Sequence, residues 1–285
     1  MNNNSYELHT YEDPSFPFIF HHTTLSPYYS DFLSHWHENV ELLFVIEGEI
    51  TVMSDANIVT AHKDDIVFIN SNNVHHIHTD ELEAKYYCLI IGGEFSMEHG
   101  LDTEEVIFQR LISDNYVKDK YLAIKEEFRA KKVLYKSAIK SLVMEMLIYL
   151  YREYAVSETT LSNKRKTEKI VIIKKAIRYI QDNYQKNITV LDTAEYVGLS
   201  KYYFCHIFKE FTGITTVRYI NILRCENAKK MLQNGDYRVE EVAYLCGFDN
   251  LSYFTKTYKR YMGCLPSFSK KEGASTQFPS SIPNS

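Results

Sequence analysis

Glycine is scarce, ten in 285 residues, and the chain has no phosphate-cradling glycine loop, no GxSxG turn and no CxxC pair. Loops that wrap phosphates, the nucleophile elbow of serine hydrolases and dithiol redox chemistry are therefore not expected. The five cysteines, at 88, 205, 225, 246 and 264, are odd in number and widely spaced. That pattern argues against a disulfide framework or a zinc knuckle and for reduced thiols. No run approaches the ~20 apolar residues that a membrane-spanning helix needs. The opening MNNNSYELHT lacks the positive and apolar regions of a secretory signal. These absences predict a cytoplasmic protein with no membrane partner. A content of 45% hydrophobic and 24% charged residues is that of a soluble folded chain, and 285 residues suffice for two domains.

Positive charge is the other shortage, and it is local. Residues 1–163 carry 12 Lys and Arg against 26 Asp and Glu, whereas residues 164–285 carry 20 against 11. The net −5 thus hides a half at −14 and a half at +9. A split of this size suggests two domains with different partners, the basic one suited to a polyanion.

The hydrophobic pattern changes along the chain in the same sense. Residues 16–91 read as short strands, with FPFIFHHTTL, VELLFVIEGEITVM and DDIVFIN rich in Phe, Val and Ile and punctuated by turn residues. Even spacing of short strands predicts an antiparallel barrel or sandwich. From about residue 102 the period becomes helical. In LYKSAIKSLVMEMLIYLYREY (134–154) the apolar pairs recur every four residues and form one wide stripe. That stripe can pack on the barrel or on its own copy in a dimer, with Leu142, Met146 and Leu150 the natural contacts in the second case. SETTLSNKRKTEK (157–169) is polar and reads as a linker. Helical patterning then runs to about 271, and EGASTQFPSSIPNS reads as a disordered tail.

The basic half contains a repeat. ITVLDTAEYVGLSKYYFCHIFKEFTG (188–213) and VEEVAYLCGFDNLSYFTKTYKRYMG (239–263) align Ala194 and Gly198 with Ala243 and Gly247 at an offset of 49. Phe204, Phe208, Lys209 and Gly213 align with Phe254, Tyr258, Lys259 and Gly263 at an offset of 50, so the second copy has one extra residue at the expected turn. Each copy reads as helix, glycine turn, helix, the order of a helix-turn-helix. The alanines are small where two helices would cross, the glycines suit a left-handed helix end, and Ser200 is placed to cap the second helix.

Helical spacing puts Phe204, Ile207, Phe208 and Phe211 on one face, and Lys201, Tyr202, Cys205, His206 and Lys209 on the opposite one. In the second copy Phe254 and Tyr258 point inward, and Leu251, Ser252, Thr255, Lys256 and Lys259 point outward. Outward faces of such helices read base edges in a major groove. Between the copies TTVRYINILRCENAKKMLQNGD (215–236) is uninterrupted helix of about 18 residues, a rod of ~27 Å. Such a rod can hold two recognition helices near major grooves ~34 Å apart. Two copies in register in a domain of charge +9 are hard to explain as ordinary helical corners.

These residues resemble the DNA-binding domain of AraC/XylS-type transcription regulators over about a hundred residues. The likeness rests on GLS followed by Phe208-Lys209, on Arg224 and Ala228 of the connecting helix, on Ala243, GF and SYF of the second copy, and on the closing Gly263-Cys264-Leu265-Pro266-Ser267. Three positions depart from the pattern: Thr216 for a usual proline, Tyr258 for a usual phenylalanine, and Arg238 for a small capping residue. The resemblance implies base contacts from Tyr202, Cys205 and His206, and from Leu251, Ser252 and Lys256.

In HWHENVELLFVIEG (35–48), His35, His37 and Glu41 share parity and would face one way on a strand, while Trp36 would face outward or cover the barrel mouth. With DDIVFINSNNVHHIH (64–78) this resembles the two short motifs of the cupin barrel, His75 matching the histidine that ends the second. In metal-bearing cupins those positions are three histidines and a glutamate around iron, manganese or zinc, donors that suit such ions. The second motif here lacks its usual glycines and proline, and Tyr29 replaces a glycine ahead of the first. Sensor domains of AraC-type regulators look like such degenerate cupins and often bind an organic effector instead.

The expectation is an α+β protein. It comprises a cupin-like antiparallel β-barrel that senses an effector (1–100), a helical dimerisation region (101–160), a linker (161–168), an all-α double helix-turn-helix domain (169–272) and a disordered tail (273–285). It is expected to act as a homodimeric regulator, in the sense of an activator, of double-stranded operator DNA and RNA polymerase, and not as an enzyme. A carbohydrate is the favoured effector, bound by His35, His37, Glu41 and His75. No cofactor is expected, a divalent metal at the same four residues being the one candidate. The rivals are a metal-dependent cupin enzyme fused to a DNA module and a constitutive regulator whose barrel is a scaffold.

Overall fold

A computed structural model describes residues 9, 11, 13–26, 33–101, 103, 106–156, 160–234 and 237–270, with 160–167 described by their backbone alone. The expected tail at 273–285 lies outside the described residues. The chain divides into two compact units, one of Met1–Lys174 with Glu210–Gly213, the other of Lys175–Lys209 and Ile214–Ser285.

The first unit begins with the strands β1 (Phe18–Leu25), β2 (Val40–Glu47), β3 (Glu49–Ser54), β4 (Asn57–His62), β5 (Ile66–Ile69), β6 (His75–His78) and β7 (Ala84–Ile91). Next come α1 (Gly93–Glu98), the short strands β8 (Ile107–Phe108) and β9 (Leu111–Ile112), the helices α2 (Asn115–Ala130) and α3 (Tyr135–Glu153), and β10 (Ala155–Val156). Five strands form a sheet in the order β1-β7-β2-β5-β9, three form another in the order β4-β3-β6, and β10 pairs with β8. All the pairings are antiparallel.

The alternation of side chains along β2 decides what covers each face. Leu43 and Val45 join Ile50, Val52, Val67, Ile69, Ile77, Cys88 and Ile90 in a core between the two sheets. Val40, Leu42 and Phe44 face the other way, into a core shared with Phe68, Leu89, Ile91 and the helices α2 and α3. A sheet buried on both faces has almost no polar position, which is why VELLFVI reads as a continuous apolar run. Tyr121 of α2 is fully buried on this sheet, and its hydroxyl bonds the carbonyls of Leu42 and Tyr87 at 3.1 and 2.9 Å.

This packing corrects the reading of α3 as a dimer helix built on Leu142, Met146 and Leu150. Met146 and Leu150 are fully buried in the core beneath the five-stranded sheet, and Leu142 is half-buried against it. Met146 and Leu150 thus have no free surface for a second copy, and Leu142 keeps only part of its own. The period of the stripe gave the helix but not the partner of its apolar face.

The segment read as a linker is helical, since α4 spans Thr160–Asn183. NKRKTEK contains neither glycine nor proline, and Lys, Arg and Glu are good helix formers, so its polarity does not stand against a helix. The second unit continues with α5 (Val190–Tyr196), α6 (Lys201–Thr212), α7 (Thr216–Asn234), α8 (Val239–Leu245) and α9 (Leu251–Met262). Between α5 and α8 the starts are offset by 49 residues, and between α6 and α9 by 50, so the extra residue lies in the second turn.

Candidate nucleic-acid interface and barrel ligand cluster

Each repeat is built by the same local physics. Gly198 and Gly247 sit at φ +75° and +84°, the left-handed conformation that lets a helix end and the chain turn. Ser200 Oγ accepts from the Tyr203 N–H at 3.4 Å, and Asn250 Oδ1 accepts from the Tyr253 N–H at 2.9 Å, capping α6 and α9. At α8 the Arg238 side chain makes no cap, but Glu241 accepts from the Arg238 N–H at 2.7 Å, which supplies half of a capping box.

Inside, Phe204 and Phe208 pack with ring centroids 5.4 Å apart, and their counterparts Phe254 and Tyr258 do so at the same 5.4 Å. The tyrosine at 258 has its own reason: the buried hydroxyl donates to Ser269 Oγ at 2.9 Å. Ala194 and Ala243 are buried where α5 and α8 enter the core, as their size predicts.

The outward faces are where helical spacing places them. Lys201, Tyr202, Cys205, His206 and Lys209 are exposed on α6, Tyr202 at 88%. Leu251, Ser252, Lys256 and Lys259 are exposed on α9, and Thr255 is half-buried. Thr255 Oγ1 donates to the Leu251 carbonyl at 2.9 Å, so this hydroxyl is engaged by its own helix. The rod between the repeats is present, 19 residues of α7 spanning about 28 Å at 1.5 Å per residue. Hydrogen bonds from two of its side chains hold it in place. Arg224 donates to the carbonyls of Tyr184 and Lys186 at 2.8 Å each, and Asn221 Nδ2 donates to the Tyr253 hydroxyl at 2.9 Å.

In the first unit the four residues singled out for a ligand do come together. One ligand atom each from His35, His37, Glu41 and His75 lie within 4.8 Å of one another. They do not share one strand: β2 begins at Val40, and His35 is held instead by a bridge to His75, with N–O distances of 3.0 and 2.9 Å. Trp36, expected to face outward or cover the barrel mouth, is buried. His37 and His75 are 1% exposed and Glu41 6%, and only His35 is half-buried.

Glu41 Oε2 is 3.2 Å from His37 Nε2 and 3.3 Å from His75 Nε2, while its Oε1 accepts from the Cys88 thiol at 2.9 Å. Burial, with His35 beside it, pushes His75 down to about 4, so that ring is neutral at pH 7. Burial alone would raise Glu41, but the imidazoles facing it outweigh this and hold the carboxyl well below its usual range. Three imidazoles and a carboxylate in this arrangement are donors that could hold a divalent metal ion. They offer a sugar only the half-buried His35. Cys88 had no sequence signal, because only the register of β2 on β7 sets it beside Glu41.

Residues 193–271 match the helix-turn-helix domain family, and residues 21–90 match the cupin domain family. The HTH-type transcriptional regulator YdiP of Escherichia coli (strain K12) is 26% identical over 82% of this chain and 79% of its own. YdeC of Bacillus subtilis (strain 168), also an HTH-type transcriptional regulator, is 24% identical over 95% of this chain and 97% of its own. The raffinose operon transcriptional regulatory protein RafR of Pediococcus pentosaceus is 31% identical over 46% of each chain. All three relatives are regulators, which supports a regulator over the rival enzyme reading. Two helix-turn-helix repeats with exposed basic second helices, a cupin domain match and relatives of this kind identify the chain as a transcriptional regulator with an AraC-type helix-turn-helix and a cupin domain.

Proposed function

We propose that the protein is a homodimeric transcription activator that binds double-stranded operator DNA in the cytoplasm. A small-molecule effector, in the first place a carbohydrate, controls it from the N-terminal unit. The observation that carries the DNA part is the duplicated outward face of α6 and α9, five positions on each helix turned away from an aromatic core. Tyr202, Cys205 and His206 in the first repeat, with Leu251, Ser252 and Lys256 in the second, are the proposed base readers. Lys201, Lys209 and Lys259 face phosphates, with Thr255 beside them.

The carbohydrate rests on the relative named for a raffinose operon and on two places in the N-terminal unit. One is the histidine cluster at His35. The other is a cavity of about 460 Å3 lined by Phe95, Glu98, His99, Lys140 and Met144 among others, a volume in the usual range for small ligands. The effector acts by binding one of two arrangements of the dimer more tightly, which alters the half-sites occupied and hence contact with RNA polymerase.

The test uses the full chain with duplexes selected from a random pool. Specific binding that a sugar shifts, and that His35→Ala or Lys140→Ala desensitises, is the expected result. Specific binding indifferent to every sugar favours a constitutive regulator whose barrel is a scaffold. No specific binding at all would overturn the DNA reading.

A further inference from the structure

We propose that the DNA-binding unit carries a ligand site of its own. A cavity bordered by α5, α6, α7 and α9 takes a small organic anion with an apolar body, and the bound anion excludes operator DNA. This goes beyond a sensor in the N-terminal unit, because it places a second input on the reading helices themselves.

The cavity holds about 550 Å3, a volume in the usual range for small ligands. Its walls are apolar. Ile188 and Val190 stand at the start of α5, and Val217 and Ile220, three residues apart, share one face of α7. Its charges are of one sign, since Lys201 and Arg224 line it and none of its lining residues is acidic. Cations set among apolar walls suit a ligand that is negative at one end and hydrocarbon at the other.

Three groups keep hydrogens to donate. Arg224 is half-buried, with Nε and Nη2 engaged by the Tyr184 and Lys186 carbonyls at 2.8 Å each. Its Nη1 has no hydrogen bond, and its guanidinium no ion pair, among the described residues. Burial lowers the guanidinium from its ordinary range, and Asp249 offsets that only in part. A half-buried cation held by neutral carbonyls alone is stabilised by an anion brought to it. Lys201 opens α6, is exposed, and likewise forms no ion pair among the described residues. Tyr253 Oη accepts from Asn221 Nδ2 at 2.9 Å, so its own hydrogen is directed elsewhere. Asn221 is itself 7% exposed and fixes that hydroxyl from within the core.

A phosphodiester of the DNA backbone would meet the same cations but would set charged oxygens against Ile188, Val190 and Ile220. The walls therefore favour a carboxylate on a hydrocarbon body. Lys201 also belongs to the outward face of α6, and Tyr253 lies in the first turn of α9 beside Ser252. An anion here offsets positive charge and fills space at the first turns of both reading helices, which is how it competes with DNA.

The experiment titrates the full chain, without DNA, with phenylacetate, its uncharged isostere phenylacetamide, and inorganic phosphate. The expected result is saturable phenylacetate binding with a dissociation constant on the order of 1 mM or tighter, the range of ligands of about ten heavy atoms. The amide should bind at least about tenfold more weakly, and Tyr253→Phe should cost phenylacetate about tenfold. Val217→Glu puts a like charge at the half-exposed rim, in the first turn of α7 where an acid suits the helix dipole, and should abolish binding at an unchanged thermal midpoint. If that midpoint falls, Tyr253→Phe alone decides. No saturable phenylacetate binding, equal binding of the amide, or binding that survives these variants overturns the proposal. Phosphate binding in place of phenylacetate also overturns it and makes the cavity a seat for the DNA backbone. In a second arm phenylacetate should raise the operator dissociation constant competitively, and phenylacetamide at the same concentration should not. Phenylacetate binding without that effect overturns the exclusion half alone. Failure of operator binding in every state overturns the DNA reading instead and leaves the result without DNA standing.

Discussion

The Cys88 thiol donates to Glu41 Oε1 at 2.9 Å, while Oε2 of the same carboxylate faces His37 and His75. One carboxylate is thus divided between a neutral donor on β7 and the imidazoles of the cluster. Cys88→Val removes that donor without adding another, so a buried carboxylate oxygen loses its partner. The expected effect is destabilisation by about 1–3 kcal/mol, with Cys88→Ser closer to wild type. Thermal unfolding of both variants decides it, and equal losses would mean that packing rather than the hydrogen bond matters at this position.

The burial of Met146 and Leu150 predicts the effect of truncating them. Met146→Ala or Leu150→Ala should destabilise the N-terminal unit by about 2–5 kcal/mol, independently of protein concentration. A change confined to the association constant, with unaltered unfolding at high concentration, would return these residues to an interface.

The two repeat glycines should differ. A Cβ at Gly247 would lie 2.6 Å from the Tyr184 carbonyl oxygen, whereas one at Gly198 would meet nothing within 4 Å. Both substitutions to alanine carry the backbone strain of positive φ, about 1–2 kcal/mol. Only Gly247→Ala adds a clash with backbone, so its thermal midpoint should fall clearly further than that of Gly198→Ala.

Thr216 opens α7 with a buried hydroxyl that has no partner, and Thr215 Oγ1 accepts from the Arg218 N–H at 3.3 Å. Proline suits this first helical position, where its missing N–H is no loss. Thr216→Pro is therefore expected to stabilise the DNA-binding unit by about 0.4–1 kcal/mol. A lower midpoint would show that the hydroxyl or the N–H is in use.

Asp114 caps α2 by accepting from the Tyr116 N–H at 2.7 Å, and it also accepts from the Tyr149 and Tyr154 hydroxyls at 3.0 Å each. Burial raises this carboxyl, but the two tyrosines and the backbone donors outweigh it and leave it below its ordinary 3.8. Its contribution to stability is therefore complete above that ordinary value and disappears as pH falls through the lowered one. Asp114→Ala should lower stability at neutral pH by about 1 kcal/mol for the cap alone. Denaturant unfolding at pH 7 and at about pH 3 should show the gap to wild type closing at the acid end.

On DNA, His206→Ala combined with Lys256→Ala is expected to abolish specific operator binding while leaving the unfolding midpoint unchanged, since both side chains are exposed. Each lysine removed from a phosphate contact should reduce the slope of log affinity against log salt by about 0.9. Specific affinity within a few-fold of wild type, or a flat salt response, would contradict the assignment of α6 and α9.

The helix-turn-helix repeat was legible because its information is local. Positive-φ glycines, the cap at Ser200, and the spacing of Phe204 and Phe208 act within a few residues, so they print directly on the sequence. The fold class, the basic half and the outward faces of α6 and α9 follow from the same short-range rules. His35, His37, Glu41 and His75 could be named as a group from parity and a family likeness, but their convergence could not be derived. It needs the β2–β7 register, the His35–His75 bridge and two sheets facing each other. The partner of α3 was undecidable for a related reason. An apolar stripe records that a face must leave water and not what will cover it, and only the double-sided burial of β2 decided that the cover is this chain's own sheet.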